Sequence, residues 1–208
     1  PGNDWRISEV QIEEGLTRFM IDTPTAHLNG EYCTPLLGKH QAANASLAIA
    51  AAAELGLSRT MIQNGLSKCP QPRQRLQWVE RRGVNWLNDA YNANADSVKV
   101  ALETLAQMPC TGRRYAVLGD MAELGEHAES AHREAGAKAS GVVSGLVAVG
   151  QWAEVTAGVA REKGLEKVAA VAGVKEVVEL LRDWLMPGDV VLLKASRASK
   201  LEQIEELY

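Results

Sequence analysis

The sequence predicts an α/β protein with a doubly wound, mostly parallel sheet over residues 75–208. A β-meander and two helices precede it over residues 1–72. Three observations carry this prediction. From Arg75 onward, short apolar runs alternate with segments of helical periodicity, the order that builds a parallel sheet. Runs such as Gly145–Val149 and Val190–Lys194 are apolar throughout rather than at every second position, so both faces of their sheet are expected to be covered. Aromatic residues make up only 5%, with one phenylalanine, while 46% of the chain is hydrophobic. Such a core is built from Val, Leu, Ile and Ala, and small alanines let helices lie close on a sheet. The expected architecture is Rossmann-like.

The elements follow in order. Leu16–Thr23 has β character, Pro24 and Asn29-Gly30 mark turns, and Glu31–Leu37 reads as a return strand, so residues 7–37 form a hairpin or meander. Gln41–Leu55 is rich in Ala and Leu and reads as a helix ended by Gly56. Ser58 is a suitable N-cap for a second helix through Leu66. Pro70-Gln-Pro72 breaks the pattern and is the expected domain boundary. Strands are predicted at Leu76–Glu80, Val84–Asn88, Arg114–Leu118, Gly145–Val149, Lys167–Val171 and Val190–Lys194. The helices between and after them are Asp96–Met108, Glu129–Ala139, Trp152–Lys163, Lys175–Leu185 and Ser199–Leu207.

Composition excludes several function classes. The formal charge of −4 and the lack of any Lys/Arg block argue against a nucleic-acid partner. No apolar run reaches the roughly 18 residues that span a bilayer, so no membrane insertion is expected. No charged n-region with an apolar h-region opens the chain, which predicts no signal peptide. Cys33, Cys69 and Cys110 lack CxxC spacing and read as free thiols in a reducing, cytoplasmic compartment. No metal site is expected, because the four histidines have no ligand spacing to the cysteines. Neither GxxxxGK[ST] nor GxGxxG occurs, so the chain is a poor candidate for a complete NTPase or dehydrogenase. No catalytic residue can be assigned within it.

In doubly wound sheets, ligands sit beyond the carboxyl ends of the strands. Three polar segments fall there. Asn88-Asp-Ala-Tyr-Asn-Ala-Asn-Ala-Asp-Ser97 reads either as an ordinary turn with Asn94 or Asp96 as N-cap, or as a ligand loop. Leu118-Gly-Asp-Met-Ala-Glu-Leu-Gly125 brings Asp120 and Glu123 to a strand end, as a solvated turn or a site. Lys194-Ala-Ser-Arg197 offers two cations and a hydroxyl suited to a carboxylate or phosphate, or simply starts a helix. A fourth cluster, Gly38-Lys-His-Gln-Ala-Ala-Asn44, opens the alanine-rich helix with polar groups that either cap it or meet a ligand.

Together these segments resemble the Mur ligases. Residues 88–97 resemble that family's DxYNANPxS, in the version carried by the branch that adds D-alanyl-D-alanine. Residues 118–125 with His132-Arg133 are similar to VLGDMxELG…HR, residues 38–44 to GxHNxxN, and residues 194–197 to KGSR. The likeness extends over residues 7–208. Gln41 stands where Asn is usual, Ala95 where Pro is usual, Ala195 where Gly is usual, and Gln74 where Gly commonly precedes Arg75.

The resemblance implies a bacterial, cytoplasmic, three-domain ligase that uses ATP and Mg2+ to join D-alanyl-D-alanine to a UDP-muramoyl tripeptide. It implies that residues 1–72 end the ATPase domain, that residues 75–208 form the C-terminal domain, and that the UDP-binding domain and phosphate loop are missing. The chain would then be inactive alone, hold no cofactor tightly, and self-associate through its ATPase-domain remnant. By the same resemblance, Asn44 with Gln41 or His40 would meet the adenine, Arg75 the phosphates and Asp89 the ribose. Tyr91, Asn92 and Asn94 would shape the loop between nucleotide and dipeptide. Asp120, Glu123, Lys194, Ser196 and Arg197 would form the dipeptide end. The alternatives are a stand-alone nucleotide-binding α/β protein and a non-catalytic interaction module.

Overall fold

The computed structural model describes residues 4–208. The chain divides into two compact units. The first runs to Pro72 and includes Gln107–Pro109; the second is Arg73–Ala106 with Cys110–Tyr208.

The first unit is a three-stranded antiparallel sheet, β1 (Arg6–Glu13), β2 (Leu16–Asp22) and β3 (Gly30–Thr34), paired in that order. Two helices, α1 (Lys39–Glu54) and α2 (Arg59–Ser67), accompany it. The register slips between Ser8 and Gln11, where Glu9 takes a positive φ, the mark of a bulge. The return strand ends at Thr34, short of the expected Leu37, because Pro35 has no N–H to continue the ladder. Phe19, Ile21 and Tyr32 pack under Ala42, Ala45 and Ile49 of α1 and Ile62 of α2. This layer covers the sheet face that a meander alone leaves open. Gly56 closes α1 at φ +79, and the Ser58 hydroxyl caps α2 by accepting the Met61 N–H at 3.4 Å.

The second unit is a six-stranded sheet built from β4 (Gln77–Arg81), β5 (Val84–Asp89), β6 (Arg114–Leu118), β7 (Gly145–Val149), β8 (Val168–Val171) and β9 (Val190–Lys194). The spatial order is β4-β5-β9-β6-β7-β8. Only the β4–β5 hairpin is antiparallel. Arg82 and Gly83 both take positive φ, as a two-residue hairpin turn requires. Five helices complete the unit: α3 (Ala95–Gln107), α4 (Ala128–Ser140), α5 (Ala153–Glu162), α6 (Val174–Trp184) and α7 (Gln203–Leu207). Val177, Val178 and Leu181 of α6 and Ile204 of α7 pack on Trp86, Val117, Val147 and Leu193. Ala153 and Ala157 of α5 lie on the opposite face against Ala148. The sheet is therefore covered on both sides, as its uniformly apolar strands require.

In the second unit, two departures from the sequence reading have a local backbone cause, while several other bounds shift by a residue or so. Leu76 takes φ +48 and gives its N–H to the Asp89 side chain, so β4 starts at Gln77. The last helix starts at Gln203 rather than Ser199. Residues 197–199 form a 3-10 turn, and Lys200, in the left-handed region, breaks the path between them.

Candidate functional site

The carboxyl edge of the sheet is set by register. Asp89 ends β5, Lys194 ends β9 and Leu118 ends β6. Parallel pairing places Lys194 level with both of the others. The Lys194 Nζ lies 2.8 Å from Asp89 Oδ2, with the two side chains 2% and 13% exposed. The same ammonium donates to the carbonyls of Asp89 (3.3 Å) and Asn92. Lys194 thus spends its three protons inside the chain and draws the 89–92 loop onto β9. The other Asp89 oxygen accepts the Leu76 N–H at 3.1 Å, and Gln74 O accepts the Tyr91 N–H at 3.1 Å. One carboxylate therefore organises the 74–76 turn, the 89–92 loop and the end of β9.

Gln74 and Leu76 both have positive φ, so Arg75 projects from a sharp kink. Its guanidinium carbon stands 4.3 Å from the centre of the Tyr91 ring, and that of Arg197 stands 5.8 Å from it. Tyr91 is 40% exposed and Arg75 and Arg197 are exposed. The result is an exposed aromatic ring with two cations against it, an arrangement that attracts phosphate or carboxylate. Asn92 and Asn94 are exposed. Asn92 Oδ1 accepts the Ala93 N–H at 2.9 Å. Asn94 and Ser97 bond reciprocally, Ser97 N–H to Asn94 Oδ1 at 2.8 Å and Asn94 N–H to Ser97 Oγ at 3.0 Å. This is a capping box at the start of α3.

Ser196 is buried and joins two loops. Its Oγ accepts the Ala122 N–H at 2.7 Å and lies 3.5 Å from the Ala93 carbonyl. Its own N–H donates to Asp120 O at 2.9 Å. The Asp120 carboxylate accepts the N–H groups of Gln151 (2.9 Å) and Trp152 (3.0 Å) in the loop after β7. Gly150, at φ +103, makes that approach possible, since a Cβ there would collide with the carboxylate. Glu123 is exposed, at φ +64.

Beyond these strand ends lies a cavity of about 600 Å3. Asp120 and Glu123 line it after β6, Gly150 and Trp152 after β7, Gly173 after β8, and Ser196 after β9. The sequence reading named Trp152 only as the start of a helix and did not name Gln151 or Gly173. Short runs of Gly and Ala carry no chemical signature; the sheet alone brings them to the cavity.

Behind it, buried His132 accepts the Met121 N–H through Nε2 at 3.2 Å. Burial pushes its pKa below the usual histidine value, and the nearby Asp120 carboxylate pulls it partly back up. The sequence flagged His132 only through the HR pair of the motif.

The three remaining expected residues lie in the first unit, at the start of α1. Gln41 is the hub: its side-chain nitrogen lies 3.1 Å from His40 Nε2, and its oxygen accepts from Asn44 Nδ2 at 3.2 Å. Gly38, at φ +113, opens this turn and gives its N–H to the buried Thr17 hydroxyl. Among the described residues, no group of three or more His, Cys, Asp or Glu side chains could hold a metal ion, and no helix is long and apolar enough to cross a membrane.

Comparison with known proteins gives this edge a context. The chain is 32% identical over 205 residues to the UDP-N-acetylmuramoyl-tripeptide–D-alanyl-D-alanine ligase of Bacillus subtilis, covering 97% of the chain and 44% of the relative. It is 39% identical over 191 residues to the ligase of the same name from Mycobacterium tuberculosis, covering 81% and 38%. The crystal structure of MurF from Acinetobacter baumannii superposes on 98% of the chain and 44% of its own length, with a TM-score of 0.81 and 26% identity. The chain spans less than half the length of these relatives. The model of the Mur ligase glutamate ligase domain matches residues 74–197, from the Arg75 kink to Arg197. The chain belongs to the Mur ligase family.

Proposed function

We propose that the chain is the C-terminal part of an ATP-dependent ligase that adds D-alanyl-D-alanine to a UDP-muramoyl tripeptide in peptidoglycan synthesis. The observation that carries this reading is the convergence at the sheet edge. The Asp89–Lys194 pair fixes a loop whose Tyr91 ring meets the guanidiniums of Arg75 and Arg197, at the same sheet edge as a cavity with two carboxylates. Nucleotide and zwitterionic dipeptide are the substrates that such a surface suits.

In the reaction, the tripeptide carboxylate takes the γ-phosphoryl group of ATP, releasing ADP. The dipeptide amine then attacks the acyl carbon, phosphate leaves, and the amine loses a proton. Arg75 would hold the nucleotide's phosphates and Asp89 its ribose, while Tyr91, Asn92 and Asn94 would shape the loop between nucleotide and dipeptide. His40, Gln41 and Asn44, from the first unit, would meet the base. Arg197, the exposed cation of the 194–197 segment, is the group best able to take the dipeptide carboxylate. Lys194 and Ser196, both buried, would hold the loops that present it. Asp120 and Glu123 would face the dipeptide ammonium. This work is placement and charge stabilisation rather than covalent catalysis. Mg2+ would have its ligands outside this chain, where the rest of the ATPase domain supplies them. Residues 1–72 fit the end of that domain, and residues 75–208 fit the C-terminal domain of a cytoplasmic enzyme.

Calorimetric titration of the chain with D-alanyl-D-alanine tests the reading. Weak binding, reduced about tenfold or more in Arg197→Ala, is expected for loss of a charge-assisted contact. Binding unaffected by Arg197→Ala would remove that residue from the dipeptide end. The chain alone should ligate nothing, and sedimentation should show it self-associating.

A further inference from the structure

His132 does not line the cavity, yet it touches two of its walls. Met121, in the wall after β6, gives its N–H to Nε2 at 3.2 Å. Trp152, in the wall after β7, lies nearly parallel to the imidazole, with ring centres 5.7 Å apart and an interplanar angle of 15°. The third contact is Nδ1 to Thr156 Oγ1 of α5, at 3.2 Å. A backbone N–H can only donate, so Nε2 must be the bare nitrogen. The neutral ring then carries its proton on Nδ1 and donates it to the Thr156 hydroxyl. The rest of the buried stripe on α4 is Ala128, Ala131, Ala135, Gly136 and Ala139, so one imidazole interrupts a run of small residues. Buried and 2% exposed, that ring is tolerated only while both nitrogens stay bonded.

We propose that His132 is a positioning residue that sets the spacing of the Met121 and Trp152 walls and so holds the cavity open for the dipeptide ammonium. The proposal rests on the reading of the cavity as the dipeptide end. The link is short. Asp120, next to Met121, is latched to the Trp152 N–H at 3.0 Å, so releasing Met121 loosens the carboxylate that faces the cavity. His132 itself need not touch substrate.

Two variants of the whole chain separate its roles. His132→Phe keeps a ring beside Trp152 and removes both nitrogens. His132→Gln keeps an acceptor for Met121 and removes the ring. Without ligand, hydrogen exchange at the Met121 amide should accelerate at least about tenfold in His132→Phe and return to within about threefold of the parent in His132→Gln, as expected for loss and recovery of one buried hydrogen bond. The affinity for D-alanyl-D-alanine should follow the same order. Unchanged Met121 exchange in His132→Phe would overturn the proposal. So would accelerated exchange with dipeptide affinity intact. If the exchange pattern appears but the parent chain binds no dipeptide, the pivot stands and the assignment of the cavity fails. Should His132→Phe not fold, imidazole nitrogen shifts of the parent chain decide: a proton on Nε2 rather than Nδ1 at neutral pH would sink the idea.

Discussion

At the scale of single residues, the Asp89–Lys194 pair is the strongest determinant of the edge. Replacing Asp89 with alanine leaves an ammonium 2% exposed without its counter-ion, which is expected to cost about 3–5 kcal/mol. Urea unfolding of Asp89→Ala should show that loss, and adding Lys194→Met should recover much of it, since no buried charge then remains. Equal stability of the single and double variants would mean that the pair is not coupled. On the reading proposed above, Asp89→Ala in the full-length enzyme should also raise the KM for ATP sharply, and unchanged ATP kinetics would remove Asp89 from the nucleotide contacts. The sequence marked both residues as polar groups at strand ends. It could not show that they meet, because 105 positions separate them and only the β5–β9 register brings them level. The same holds for Arg75 and Tyr91, whose contact depends on two residues with positive φ, Gln74 and Leu76. There the family's usual glycine has a physical reason. The residue before Arg75 occupies the left-handed region, which glycine enters without the roughly 1–2 kcal/mol penalty of other residues.

At the scale of elements, helix caps were the most readable features. Gly56, Ser58 and Asn94 act at helix ends where their side-chain chemistry predicts. Of the two readings open for residues 88–97, Asn94 fulfils the capping one, while Asp89 and Tyr91 leave the same loop available to a ligand. Ala95 is the first residue of α3, directly after that cap. Proline is pre-organised for this position and needs no N–H there, so the family's usual residue should fit. Ala95→Pro is expected to stabilise the chain by about 0.4–1 kcal/mol, visible as a higher melting temperature, chiefly by stiffening the unfolded chain. A lower melting temperature would show that the first turn of α3 depends on that N–H. The packing of α4 on α5 was not readable. Gly136 passes so close to the Thr156 carbonyl that a Cβ would collide, and this fixes the helices at the distance His132 spans.

At the scale of the whole molecule, burial of ionisable groups ties stability to pH. The folded pKa of His132 lies below its ordinary value of 6.5, with burial the main cause. As pH falls through about 6.5, the unfolded chain takes up a proton that the folded chain refuses. Stability therefore declines until the folded pKa is reached. Glu205 acts in the opposite direction, because burial raises its pKa and the folded form gains a proton more readily. Comparing urea midpoints at pH 7.5 and 5.5 for the parent and His132→Gln isolates the histidine, and the parent should lose more on acidification. Equal losses would show that His132 titrates alike in both states. Local sequence determined the elements: apolar runs became strands, periodic runs became helices, and capping residues ended them, because each depends on neighbours a few positions away. Only the tertiary structure decided that β9, the last strand, lies between β5 and β6. Strand order is chosen by side-chain packing on the two sheet faces and by crossover geometry across a hundred residues. That choice carries Lys194, Ser196 and Arg197 to Asp89, Ala93 and Tyr91, and turns four polar segments of uncertain meaning into two: a cluster at the start of α1 in the first unit and one edge of the second.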